Sequence, residues 1–353
     1  MPASLPVPER MPFTHYLKTL ADRNTNADGL REFEAHALFS AMLDGGVPDL
    51  ELGALLATLQ QRGESTEELI GFQRASSERT YTLEPPGDRL RPVVFPAYGG
   101  ARDAPNLLPL LALLLQRMGI PVLIHGTLEG GGRVAAAYVL RELGVMPSAN
   151  LRVAQQGLAD HGLAFVPTAV LSPALAQLLA LRSRLGMRSS AHLVAKLIDP
   201  FAGDAVLMVG ASTGTRLELL AEVLLAIGAH GLLLRSSEGE PVSSALHRPR
   251  IDLIADGLRE TLFDEENGVG SAVHGLISVV DATATAAWIR AALAGTTPFP
   301  HPLVNQLACC LYACGYTDNM NQAKAIAAVE GGGLTPGAQS RGRSASVIPT
   351  SAR

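Results

Sequence analysis

Two periodicities divide the chain. Over the first 85 or so residues, apolar positions recur at helical spacing. Leu30, Phe33, Ala37, Leu38 and Met42 share one face, and Leu52, Leu55, Leu56 and Leu59 form the next stripe. Asp28 is placed to cap the first of these helices, Gly45-Gly46 stops it, Pro48 restarts the chain and Gly63 ends the second. Ser65-Thr66-Glu67-Glu68 reads as a capping box that opens a third helix. From Arg91 the pattern changes to short β-rich runs alternating with helical ones. Arg91–Pro96, Ile120–His125, Ala205–Gly210 and Gly231–Arg235 read as strands, and Asn106–Met118, Val134–Leu143 and Leu217–Ile227 read as helices. This rhythm predicts an α/β fold, with a small N-terminal helical domain and a larger α/β domain built on a mostly parallel sheet. Ser172–Lys196 reads as helical with no intervening strand, so it is expected to pack back on the N-terminal unit. The expected division is a helical domain over 1–85 joined by helices from about 168–196, an α/β domain over 86–167 and 197–333, and a disordered Gly/Ser/Pro-rich tail over 334–353.

Composition narrows the function. The 353 residues are 47% hydrophobic and 17% charged, which fits a folded body, and the net charge of −5 is not the basic footprint of a typical nucleic-acid binder. Aromatic residues are only 5%, against a base-stacking platform. The three cysteines, Cys309, Cys310 and Cys314, lie in one apparent helix without a zinc-ligand spacing, so they read as core residues of a protein from a reducing compartment. The start has no basic-then-apolar signal layout and the longest apolar run, Leu107 to Leu115, is too short to span a bilayer. The expected location is the cytoplasm, with no membrane association.

Against that acidic background Arg182, Arg184, Arg188 and Lys196 stand together with no acidic residue until Asp199. Fixed positive charge concentrated in this way points to an anion, most simply a phosphate. Two glycine-bearing loops follow neighbouring strands, Tyr98-Gly99-Gly100 and His125-Gly126 with the Gly130-Gly131-Gly132-Arg133 loop, where an α/β sheet commonly holds a ligand. Read singly, the glycines are turns and His125 is a structural hydrogen-bonder. Ser212 or Thr213 is expected to cap a helix, and Glu238 and Glu240 to sit in a solvated turn.

On these residues the chain resembles the anthranilate phosphoribosyltransferase family across residues 14 to 333. The run from Leu30 to Leu69 is similar to that family's helical domain, and LRSRLGMRSSAHLVAKLIDP to its PVRxxLGxRTxxNLLGPLxNP segment. The resemblance implies a dimer formed through the helical domain and a cleft that takes phosphoribosyl pyrophosphate with magnesium. The family's GTGGD loop stands here as Ala97-Tyr98-Gly99-Gly100-Ala101, its NxST as Asn106-Leu107-Leu108-Pro109 and its KHGN as Ile124-His125-Gly126-Thr127. Its metal-holding acidic pair is replaced around Glu240-Pro241-Val242. The family's chemistry needs carboxylates on the metal and donors on the phosphates, so its activity is expected to be absent and no cofactor or metal is expected.

The altered motifs, with VLIHGT, AHLVAKL and GEPVSS, resemble the YbiB group of the same superfamily. That resemblance implies sequence-independent binding of single- or double-stranded nucleic acid by a homodimer with a basic groove. The residues expected to grip phosphates are Arg182, Arg184, Arg188, Lys196, Arg102 and Arg133. Gly99, Gly100, Asn106, His125 and Gly126 would then be a vestigial phosphate pocket, with no catalytic residue. The alternative is a phosphoribosyl- or other glycosyltransferase with an unidentified acceptor, using that pocket.

Overall fold

The structure, a computed structural model, describes residues 13–21, 29–87, 89–236, 238–266 and 280–331. The expected cap at Asp28 and the tail over 334–353 lie outside these residues. The N-terminal unit comprises helices Phe13–Ala21, Glu32–Leu43, Asp49–Arg62 and Thr66–Ser77. The capping box forms as the sequence requires: the Ser65 hydroxyl accepts from Glu68 N, and the Glu68 carboxylate accepts from Ser65 N at 2.9 Å. Glu68 is fully buried, so its charge must be matched; it also accepts from Leu30 N at 2.9 Å and pairs with Arg62.

Seven strands form one sheet in the order β3-β2-β1-β4-β5-β6-β7. They are β1 (Val93–Ala97), β2 (Val122–Gly126), β3 (Leu163–Pro167), β4 (Val206–Ala211), β5 (Gly231–Arg235), β6 (Ile251–Ala255) and β7 (Leu258–Phe263). The first five run parallel, and β6 and β7 are antiparallel additions. Alternation along each strand splits the core in two. Val94, Leu123 and Val166 face the helical unit together with Leu175 and Leu193, whereas Val93, Phe95, Ile124 and Met208 face the helices Leu108–Arg117, Ala282–Leu293 and His301–Ala313. Cys309, Cys310 and Cys314 are buried in this second layer.

One expectation is corrected. A helix, Leu151–His161, and strand β3 do intervene before the helices at Pro173–Ala180 and Ala191–Val194. Five residues directly after Gly162 offer too short a run to distinguish from the helical patterns on either side. The later helices nevertheless pack against Glu32–Leu43 and Thr66–Ser77. Their return carries the arginine-rich segment across the carboxyl end of the parallel strands.

Candidate functional site

The site lies where the carboxyl ends of β1, β2 and β3 meet the Pro173–Ala180 helix and the segment after it. A cleft of about 590 Å³ opens there, lined among others by Tyr98, Gly131, Thr168, Leu179, Arg182 and His192. Its floor is a buried hydrogen-bonded chain: the Thr168 hydroxyl and Tyr98 Oη are 3.0 Å apart, and Tyr98 Oη lies 2.9 Å from His125 Nδ1. His125 is fully buried, and desolvation pushes its pKa down to about 3. It is therefore neutral at ordinary pH, with Nδ1 facing Tyr98 Oη. His192 is neutral too, pushed down to about 4 by burial and then by the nearby Arg188 and Arg182.

Positive charge gathers around the cleft. Burial lowers the pKa of Arg188, repulsion from Arg182, Arg133 and Arg216 lowers it further, and the Glu240 carboxylate opposes that fall. Arg216 sits in the first turn of helix Gly214–Ala226, whose N-cap is Thr213. Sequence reading missed Arg216 because nothing local links it to a segment 30 residues earlier. Arg188 Nη2 reaches the Tyr98 carbonyl at 3.4 Å, and Arg133 Nη1 reaches the carbonyls of Gly100 and Glu238 at 3.4 Å each. Among the described residues none of Arg133, Arg182, Arg188 and Arg216 has a carboxylate partner within salt-bridge distance. Arg184 is exposed and faces Asp49 at 3.6 Å. Arg102 is exposed on the glycine loop.

Lys196 is placed differently from the phosphate-gripping cation the sequence suggested. It is only 9% exposed, and its Nζ donates to the Gly210 carbonyl at 2.5 Å. The short helical turns at Ala191–Val194 and Ala195–Leu197 aim it under β4. Desolvation, then the charge of Arg188, bring its pKa down to about 8.

The glycine loops have structural occupants. A Cβ on Gly126 would lie 2.1 Å from the Ala97 carbonyl, and one on Gly99 would lie 2.8 Å from the Glu238 carbonyl oxygen. Asn106 is buried; its Oδ1 accepts from Leu108 N at 3.3 Å at the start of the following helix. The expectation of a solvated turn at Glu238 and Glu240 is corrected. Glu240 is 3% exposed and accepts from Gly100 N at 2.8 Å, while Glu238 is half-buried and accepts from Asp103 N at 2.7 Å, Ala104 N at 3.1 Å and Arg102 N. Burial raises the Glu240 pKa, and the amides of Gly100 and Gly99 oppose that rise. Magnesium and phosphoribosyl pyrophosphate do not fit these residues. The amides that would meet a diphosphate already carry side-chain carboxylates, and no group of three or more His, Cys, Asp or Glu among the described residues is placed to hold a metal ion.

Comparison with known proteins gives this geometry a lineage. Residues 14–79 match the helical bundle domain of a glycosyl transferase family, and residues 97–332 match its α/β domain. The uncharacterized protein YbiB of Escherichia coli is 38% identical over 307 residues, covering 86% of this chain and 95% of that protein. The anthranilate phosphoribosyltransferase of Geobacillus kaustophilus is 27% identical, covering 88% and 92%. Among solved structures, the anthranilate phosphoribosyltransferase of Thermus thermophilus superposes with a TM-score of 0.72 at 24% identity, covering 90% of this chain and 94% of the other. The Saccharomyces cerevisiae enzyme in complex with phosphoribosyl pyrophosphate and magnesium gives 0.68 at 12% identity, covering 92% and 94%.

Proposed function

The chain belongs to this two-domain glycosyl transferase family, and we propose that it binds nucleic acid through the cleft at Arg182 and the arginines near it rather than carrying out phosphoribosyl transfer. The observation that supports the reading most directly is that Arg182, Arg133 and Arg216 all act electrostatically on Arg188 while none of the four has a carboxylate within salt-bridge distance among the described residues. Guanidinium groups held near one another repel, Glu240 offsets only part of this at Arg188, and a phosphate backbone supplies further anions at regular spacing. Arg184 and Arg102 extend the charge onto the exposed surface. A homodimer formed through the helical unit would join two such clefts into one groove. The contacts are to phosphates, so binding is expected to be insensitive to sequence.

The charge reversal Arg182→Glu with Arg184→Glu tests this. Both side chains are at least partly exposed, so folding is expected to survive. Affinity for a labelled single-stranded oligonucleotide should fall at least tenfold; unchanged affinity would refute the cleft as the binding surface.

The roomy cleft itself favours a second reading, a transferase acting on an unidentified small acceptor seated beside Tyr98 and Leu179. Titration calorimetry with phosphoribosyl pyrophosphate and magnesium separates the two, since the transferase reading requires saturable heat and the proposal requires none.

A further inference from the structure

A further cavity, of about 580 Å³, opens at the other end of the sheet from the cleft at Arg182. It lies at the amino-terminal ends of β1, β4 and β5, beside the turn that leaves β6. Charged side chains of both signs line it. Arg89 and Arg91 precede β1, Asp204 precedes β4, Asp256 follows β6, and Asp318 lies in the loop after helix His301–Ala313. Among the described residues none of these five has an opposite charge within salt-bridge distance. We infer that this cavity binds a free basic amino acid, of the class of L-arginine, with its α-carboxylate at Arg91 and its side-chain cation at Asp256.

The strand order sets how these charges are spaced. Val93 pairs with Val206, so Arg91 and Asp204, each two residues earlier, enter the sheet on neighbouring strands. β5 follows β4 and β6 follows β5, which puts His230 next in the row and Asp256 at its far end. Three strand spacings, about 14 Å, separate the two ends. The groups of a basic amino acid fall in the same order. A carboxylate on Arg91 leaves the α-ammonium beside Asp204, and the extended side chain then runs past His230 to Asp256. His230 Nε2 donates to the Ala313 carbonyl at 2.8 Å. Burial lowers the pKa of this imidazole, the Ala313 carbonyl opposes the fall, Arg91 adds to it and Asp256 opposes it. The ring is therefore neutral at pH 7, and its Nδ1 is an acceptor for a ligand N–H. Leu90, Leu253 and Ala255 supply apolar wall for the methylenes. Two arginines against three aspartates leave a net charge of −1, the complement of a ligand carrying +1. No lining residue is shared with the cleft at Arg182, so the site does not depend on whether that cleft binds nucleic acid.

The test is titration calorimetry of the full chain with L-arginine, for which saturable heat is expected. Asp256→Asn removes the far charge while an Asn-Gly pair keeps the left-handed turn between β6 and β7, so this variant is expected to fold. Its affinity for L-arginine should fall about tenfold or more, the loss of a hydrogen bond between charged groups. Agmatine, which lacks the carboxylate, should bind the wild type about tenfold more weakly than L-arginine does. Arg91→Gln should weaken L-arginine by a similar factor and leave agmatine unchanged. Arg182→Glu with Arg184→Glu should leave L-arginine binding intact, which keeps this site distinguishable from the nucleic-acid cleft. Absence of saturable heat, equal L-arginine affinity in the wild type and Asp256→Asn, or loss of binding in the cleft variant would each overturn the inference.

Discussion

Lys196 shows how burial changes the meaning of a charge. An ordinary lysine keeps its proton to about pH 10.5 and Lys196 only to about 8, so the unfolded chain binds the extra proton between those values. Stability therefore rises as pH increases from 8 toward 10.5, and the cost of the buried cation is fully present below 8. Lys196→Met should remove that rise, as read from urea midpoints at pH 8 and 10. It should also change oligonucleotide affinity by less than about twofold, because the ammonium faces Gly210 and not the cleft. The two neutral histidines act in the acid range. His125 and His192, held to about 3 and about 4 against an ordinary 6.5, leave the unfolded chain with more protons below 6.5. Stability should decline as pH falls through that window, with the decline complete only near the lower values. Tyr98→Phe breaks the chain from Thr168 to His125 and should cost about 1–3 kcal/mol in urea unfolding, the penalty of a buried polar group left without its partner.

Elements were legible in the sequence to the degree that their signals were local. Strands β1, β2 and β4 stood out because apolar runs led into glycine-bearing loops before helical patterns, and β5 because its leucine run followed Gly231 directly after a helix. The β6–β7 hairpin had a signal that was passed over: Asp256-Gly257, with φ 52° and 73°, is the paired left-handed turn that joins antiparallel strands. Strand β3 had no comparable marker. The two loop carboxylates were misread for a different reason. Glu240 is buried by an amide 140 positions earlier, and no spacing within the segment around Pro241 encodes that meeting. The same holds for Gly99 and Gly126, whose glycine identity was visible but whose crowding neighbours were not. Gly126→Ala should destabilise the fold by about 3 kcal/mol or more in urea unfolding, because the new methyl meets the Ala97 carbonyl in the adjacent strand.

On the scale of the whole molecule, an acidic protein carries a local cluster of arginines beside a cleft lined by both Arg182 and Glu129. The net charge of −5 opposes a polyanion at long range, while the arginines attract it at short range. Salt screens both, but only the short-range contacts release counterions from the nucleic acid. Replacing Arg182 by Ala should weaken binding to all oligonucleotide sequences alike and reduce the salt slope by about one. No helix among the described residues is long and apolar enough to cross a membrane. The family's fold is retained, the arginine-bearing segment lies over the strand ends, and the amides of the first glycine loop are met by the chain's own Glu238 and Glu240.

The central claim is that the cleft is a phosphate-backbone surface, and the most direct measurement is fluorescence anisotropy of a labelled single-stranded oligonucleotide across a salt series. The account predicts saturable binding at low salt whose log affinity falls linearly with log salt, with a slope of about −2 to −4 for three to five single-strand phosphates engaged. No binding at low salt, or binding with a flat salt dependence, would contradict it.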